Sequence, residues 1–146
     1  MKAMRKVWKI GSRWSEWGDP NTKITNSIFY RYNIVFANTH AVLDTRPGHL
    51  IALADGYTIV AIGEILSPAQ QIEKLGIVFK DDDRIKFFND ATIPFEANDN
   101  DSNVCGCIVR FHWLNEKDRF AYNKAGRFFH ASSIEAQVND LFDKLI

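Results

Sequence analysis

The sequence is short of the features that mark several common protein classes. Two of its 146 residues are cysteine, Cys105 and Cys107, with only Gly106 between them. That spacing is too close for an ordinary disulfide, so the pair reads as buried free thiols. No apolar run approaches the length needed to cross a bilayer, which predicts no membrane partner. The opening Met1-Lys-Ala-Met-Arg-Lys6 is basic like the start of a secretory leader, but Trp8, Lys9, Gly11 and Arg13 interrupt the apolar stretch that should follow. A cytoplasmic protein is the expectation.

Charge of one sign is also missing. Eighteen basic residues balance eighteen acidic ones, which argues against coating nucleic acid through bulk electrostatics. There is no G-x-S-x-G elbow, no H-E-x-x-H pair and no glycine-rich phosphate loop. His40, His49, His112 and His130 show no metal-ligand spacing and read as surface or core residues. The acids Asp81, Asp82 and Asp83 are consecutive, so they point in different directions and read as a solvated turn. The sequence therefore predicts a protein that is not an enzyme and needs neither metal nor cofactor.

What is present is an ordinary globular composition, 46% hydrophobic and 25% charged, in a chain long enough for one cored domain over 1–146. The charges are unevenly spread. Lys2, Arg5, Lys6, Lys9 and Arg13 all precede the first acid, Glu16, whereas Asp90, Glu96, Asp99 and Asp101 extend an acidic middle. A basic side of that size attracts a phosphate backbone weakly; the ordinary reading is solvated surface charge.

Hydrophobic spacing sets out the elements. Val7 to Ser12 alternates as a strand, with Trp8 and Ile10 on one face and Val7, Lys9 and Gly11 on the other. Helical spacing of Ile24, Ile28, Phe29 and Tyr32 predicts a helix over about 22–32, followed by a strand at 33–37 and a loop at 40–48. Asp55-Gly56 predicts a tight primed turn joining two strands. Over 58–65 the expected faces are Ile59, Ala61, Gly63 and Ile65 against Val60 and Ile62. Ser67-Pro68 and Gly76 bracket an expected short helix. Val104 to Leu114 predicts the longest strand, with Cys105, Cys107, Val109, Phe111 and Trp113 on one apolar face. Strands near 119–122 and 127–130 precede a terminal helix with Ile134, Val138, Leu141, Phe142 and Leu145 on one side, and Ser132 with Glu135 suggests its capping box. The irregular order of strands and helices predicts an α+β fold, a mixed, mostly antiparallel sheet curled into a barrel with flanking helices. A parallel doubly wound sheet is the runner-up.

Four segments together carry a family likeness: Val7-Trp-Lys-Ile-Gly-Ser-Arg-Trp14, Tyr32-Asn-Ile-Val-Phe36, the hairpin through Ile62-Gly63, and Phe111-His-Trp-Leu114. In this order they resemble the PUA-like superfamily, especially its EVE and YTH branches, and they span most of the chain. The resemblance implies a curled barrel that receives a modified or flipped base of DNA or RNA in an aromatic pocket. It also implies a place in modification-dependent defence, with an effector nuclease or ATPase as partner. Gly11, Ser12 and Arg13 match the stretch that meets the base edge, and Phe36, Ala37 and Asn38 match another pocket wall. Where the YTH pattern carries a cage tryptophan this chain has Val35, which argues against methyl-adenine specifically.

The expected ligand-binding residues are accordingly Gly11, Ser12, Arg13, Trp14, Trp17, Asn38, Asp55 and Trp113, with Lys9 and Arg13 on phosphate. Trp14 and Trp17, flanked by polar residues, are the tryptophans expected to be exposed. Two other classes remain open from sequence: a nucleotide or small-molecule sensor or enzyme using the same barrel mouth, and a module that binds proteins through exposed aromatics.

Overall fold

A computed structural model describes residues 4–11, 29, 32–37, 40–76, 105–124 and 128–145. Its strands are β1 (Val7–Gly11), β2 (Ile34–Ala37), β3 (Leu50–Asp55), β4 (Thr58–Ile65), β5 (Gln70–Gln71), β6 (Cys105–Trp113), β7 (Phe120–Ala121) and β8 (Phe128–His130); the helix α1 spans Glu135–Leu145. They form one curled sheet in the order β2-β6-β4-β3-β1-β8, with β5 beside β6 and β7 beside β4. The fold is mixed α+β. Only β1 and β3 pair in parallel among the described strands, so the doubly wound alternative is set aside. No helix among the described residues is long and apolar enough to cross a membrane.

Alternation along the strands sorts the core into two layers. Trp8, Ile10, Ile51, Leu53, Ala61, Ile65, Cys107, Val109 and Phe111 fill the concave side, together with all four residues of β2. On the convex side Val7, Leu50, Ala52, Ala54, Ile59 and Ile62 meet Ile134, Val138 and Phe142 from the terminal helix and its leading turn. Of the helix expected over 22–32, the described Phe29 and Tyr32 are both helical. The Phe29 ring is fully buried and meets Phe36 edge-on at 5.0 Å.

Several local expectations are corrected. The hairpin turn is Gly56-Tyr57, one residue later than the Asp55-Gly56 reading, because Asp55 still pairs with Thr58. Gly56 has φ +64° and Tyr57 does not have a positive φ, which excludes a type I′ turn and fits the II′ form. The register slips between Leu53 and Ala54, which pair with Ala61 and Ile59, leaving Val60 as an extra residue in β4. This bulge turns Ile59 to the same side as Ile62, instead of leaving it with Ala61.

The helix expected after Ser67-Pro68 is the two-residue β5 and a 3-10 turn over Ile72–Leu75. The Ser67 hydroxyl, cast as a cap, instead accepts the Ile108 N–H at 2.8 Å. Likewise the capping box expected at Ser132 is a 3-10 turn, Ser132–Ile134, before α1, in which the Ser132 carbonyl oxygen accepts the Glu135 N–H. The loop at 40–48 begins with a 3-10 turn, His40–Asp44.

Gly63 is fixed by space. A Cβ there would stand 2.6 Å from Val109 Cγ1 and 2.8 Å from the Arg110 carbonyl oxygen, so β6 packs against bare backbone. Gly63→Ala should lower unfolding free energy by about 1–3 kcal/mol through this overpacking. Urea denaturation measures it; an unchanged midpoint would contradict the close approach.

Candidate functional site

The strand directions decide which expected site residues lie together. Gly11 ends β1 opposite Ala54, Asp55 ends β3, and Trp113 ends β6 opposite Ala61. Because β4 is antiparallel to both β3 and β6, these three residues share one end of the sheet. β6 lies two strand spacings from β3, about 10 Å. Asp55 continues the alternation of Ile51 and Leu53, and Trp113 that of Phe111, so both extend the concave face to its rim.

Trp113 does not complete the buried apolar face that its spacing suggested. Cys105 through Phe111 are buried at every second position, whereas Trp113 is 40% exposed. An indole at the open end of a curled sheet can stack on a flat heterocycle, and a neighbouring carboxylate can accept hydrogen bonds from an exocyclic amine. Tyr57, 58% exposed in the hairpin turn, is a further flat ring at this end. Its place in the turn has no mark in the sequence, where Asp55-Gly56 is the stronger turn signal.

The end of β2 belongs to a different location. Ala37 pairs with Cys105, so β2 finishes at the opposite end of nine-residue β6 from Trp113. That separation is roughly 27 Å along an extended strand. Asn38 itself, with Ser12, Arg13, Trp14 and Trp17, lies outside the described residues. Val35, which stands where the YTH pattern has a tryptophan, is fully buried in the concave core.

Lys9 departs from its expected role on phosphate. It faces away from Trp8 and Ile10, as alternation predicts, but β8 brings Phe129 opposite it. The residue is 4% exposed, and its Nζ lies 5.3 Å from the Phe129 ring centroid. Burial pulls the Lys9 pKa below the ordinary lysine range. This is the setting of a packed cation–π contact, because a phosphate contact needs an accessible ammonium. Arg5, another member of the basic run, is tied to Glu64 at 3.1 Å and stacks 4.9 Å from the Phe142 centroid. It fastens α1 to the sheet.

The two thiols are shut away from solvent. Both cysteines are buried free thiols. Burial pushes the Cys107 pKa up to about 12, outweighing the hydrogen bond with the Thr45 side chain that acts the other way. No group of three or more His, Cys, Asp or Glu among the described residues could hold a metal ion. No protein-family model matches the chain, and no curated protein matches it.

The thiols offer a direct check. In native protein at neutral pH a disulfide-exchange reagent should label Cys105 and Cys107 only as fast as the protein unfolds, and urea should release both. Rapid labelling under native conditions would contradict their burial.

Proposed function

We propose that this chain is a PUA-like module of the EVE/YTH type that recognises a modified base of DNA or RNA. The observation that carries the reading is the half-exposed Trp113 indole at the rim of the concave face, at the same end as Asp55 and Gly11. The curled, mostly antiparallel sheet supports it as the scaffold such a module uses. In this reading Trp113 supplies the stacking surface, and Asp55 accepts from the exocyclic amine of cytosine or adenine. The Gly11 backbone lies close by. A methyl group on the base adds apolar area against the indole, which favours modified over unmodified base. The interaction requires neither metal nor cofactor, and the effector it serves is a nuclease or ATPase.

Trp113→Ala should weaken binding of a short oligonucleotide carrying a methylated base by about 1–3 kcal/mol, the contribution of one stacked base. Asp55→Asn should reduce discrimination between bases more than it reduces affinity. Fluorescence anisotropy with matched modified and unmodified oligonucleotides measures both. Unchanged affinity in a folded Trp113→Ala variant would overturn the reading.

A further inference from the structure

The end of the sheet opposite Trp113 collects cations around a different tryptophan. Trp8 pairs across β1 and β8 with His130, and its indole stacks with Phe128 at 5.7 Å and with His49 at 6.3 Å. Lys6 lies beside His49 because the Leu50 N–H donates to the Lys6 carbonyl oxygen at 2.8 Å. Its Nζ stands 5.5 Å from the Trp8 ring centroid. Arg46 is brought in by the turn before β3, where the His49 N–H donates to the Arg46 carbonyl oxygen at 3.0 Å.

The hydrogen bonds fix the state of His49. Its Nδ1 accepts from the Trp8 Nε1–H at 3.0 Å and from the Arg46 backbone N–H at 3.2 Å. An Nδ1 that accepts carries no proton, so the neutral ring has its proton on Nε2 and presents a donor there. Burial first, then the charges of Lys6, Arg46 and His130, pull the His49 pKa below its ordinary value; Glu135 alone acts in the other direction. The permanent charges of Lys6 and Arg46 therefore act on this ring against one carboxylate.

That carboxylate is already engaged. Glu135 Oε2 is 2.7 Å from His130 Nε2 and accepts the Val7 N–H at 3.0 Å. Burial pushes the Glu135 pKa up, but the hydrogen bonds from His130 and Val7, with the charges of His130 and Lys6, outweigh it and leave it low. Glu135 thus orders His130 and the start of β1, and its single charge stands against the two of Lys6 and Arg46.

We propose that Lys6, Arg46 and His49, grouped around Trp8, form a binding site for a phosphate group at the end of the sheet opposite Trp113. Lys6 and Arg46 are exposed and supply charge, and His49 supplies a fixed Nε2–H donor. Arg46 keeps its position through Nη1, which donates to the Leu43 and Thr45 carbonyl oxygens at 3.0 and 2.8 Å. Its remaining guanidinium donors exceed what those two bonds use. The site is independent of base recognition at Trp113 and would take a free phosphate ion or a backbone phosphodiester.

The test is an NMR titration of isotope-labelled protein with inorganic phosphate and, separately, a short single-stranded oligonucleotide, at constant ionic strength set with chloride. Saturable shifts of the His49 ring and Trp8 indole N–H signals are expected. Saturation by inorganic phosphate identifies the free ion as a sufficient ligand; saturation by the oligonucleotide alone identifies the diester. Lys6→Gln, and Lys6→Gln with Arg46→Gln, should weaken the response by roughly tenfold or more, as loss of charge-assisted hydrogen bonds requires. Phosphate binding should be unchanged in Trp113→Ala, so failure of the base-binding reading would leave this site standing. Shifts with both probes no larger than those from chloride, or variants that bind as the parent does, overturn the proposal.

Discussion

The arrangement depends on β1 being paired along both edges, parallel to β3 and antiparallel to β8. A strand held on both sides cannot slip by one residue without turning every side chain to the other face. This constraint sends Trp8 and Ile10 into the concave core and Lys9 onto Phe129. It also leaves Gly11 level with Ala54 at one end and Lys6 beside His49 at the other. The two ends of the sheet consequently differ in chemistry: one displays Trp113, Tyr57 and Asp55, the other a group of cations around a buried indole.

Function in this account follows from strand ends, where loops and side chains leave the hydrogen-bonded ladder while the ladder keeps them in place. Trp113 is the last residue of β6 and is 40% exposed, although Ala61 and Leu53 in the same cross-strand row are fully buried. Trp8 is buried to 4% by contrast, yet its Nε1–H determines which nitrogen of His49 carries the proton. A buried tryptophan here acts as a positioning group for a more accessible histidine. The same economy appears in Glu135, which opens α1, orders His130 and accepts the first N–H of β1.

Much of the strand pattern was legible in the sequence because alternation and turn residues are local signals. β1, the β3–β4 hairpin, β6, β8 and the apolar face of α1 lie close to where residue spacing puts them. The bulge at Val60 was not legible, since β4 is apolar on both faces and its periodicity carries no mark of a skipped residue. The helix after Ser67 and the Ser132 capping box failed for a related reason. Partners distant in sequence claimed the polar groups: the Ile108 N–H took the Ser67 hydroxyl, and Val7 with His130 took the Glu135 carboxylate. In the site, Trp113, Asp55 and Gly11 share one end of the sheet, whereas Ala37 finishes at the other. Lys9 was misread because alternation gives a side chain's face and not what covers that face. The cation group was invisible residue by residue: Lys6, the Arg46–His49 turn and His130 are far apart in sequence and meet through pairing of β1 with β3 and β8.

The most direct measurement is photocrosslinking of the folded protein to a short oligonucleotide bearing one photoreactive, methylated base, with the adducts located by mass spectrometry. The base should crosslink to Trp113 or to Tyr57 at the same end of the sheet. Adducts of that base confined to the end of the sheet around Trp8, or no specific adduct under saturating conditions, would contradict base recognition at Trp113.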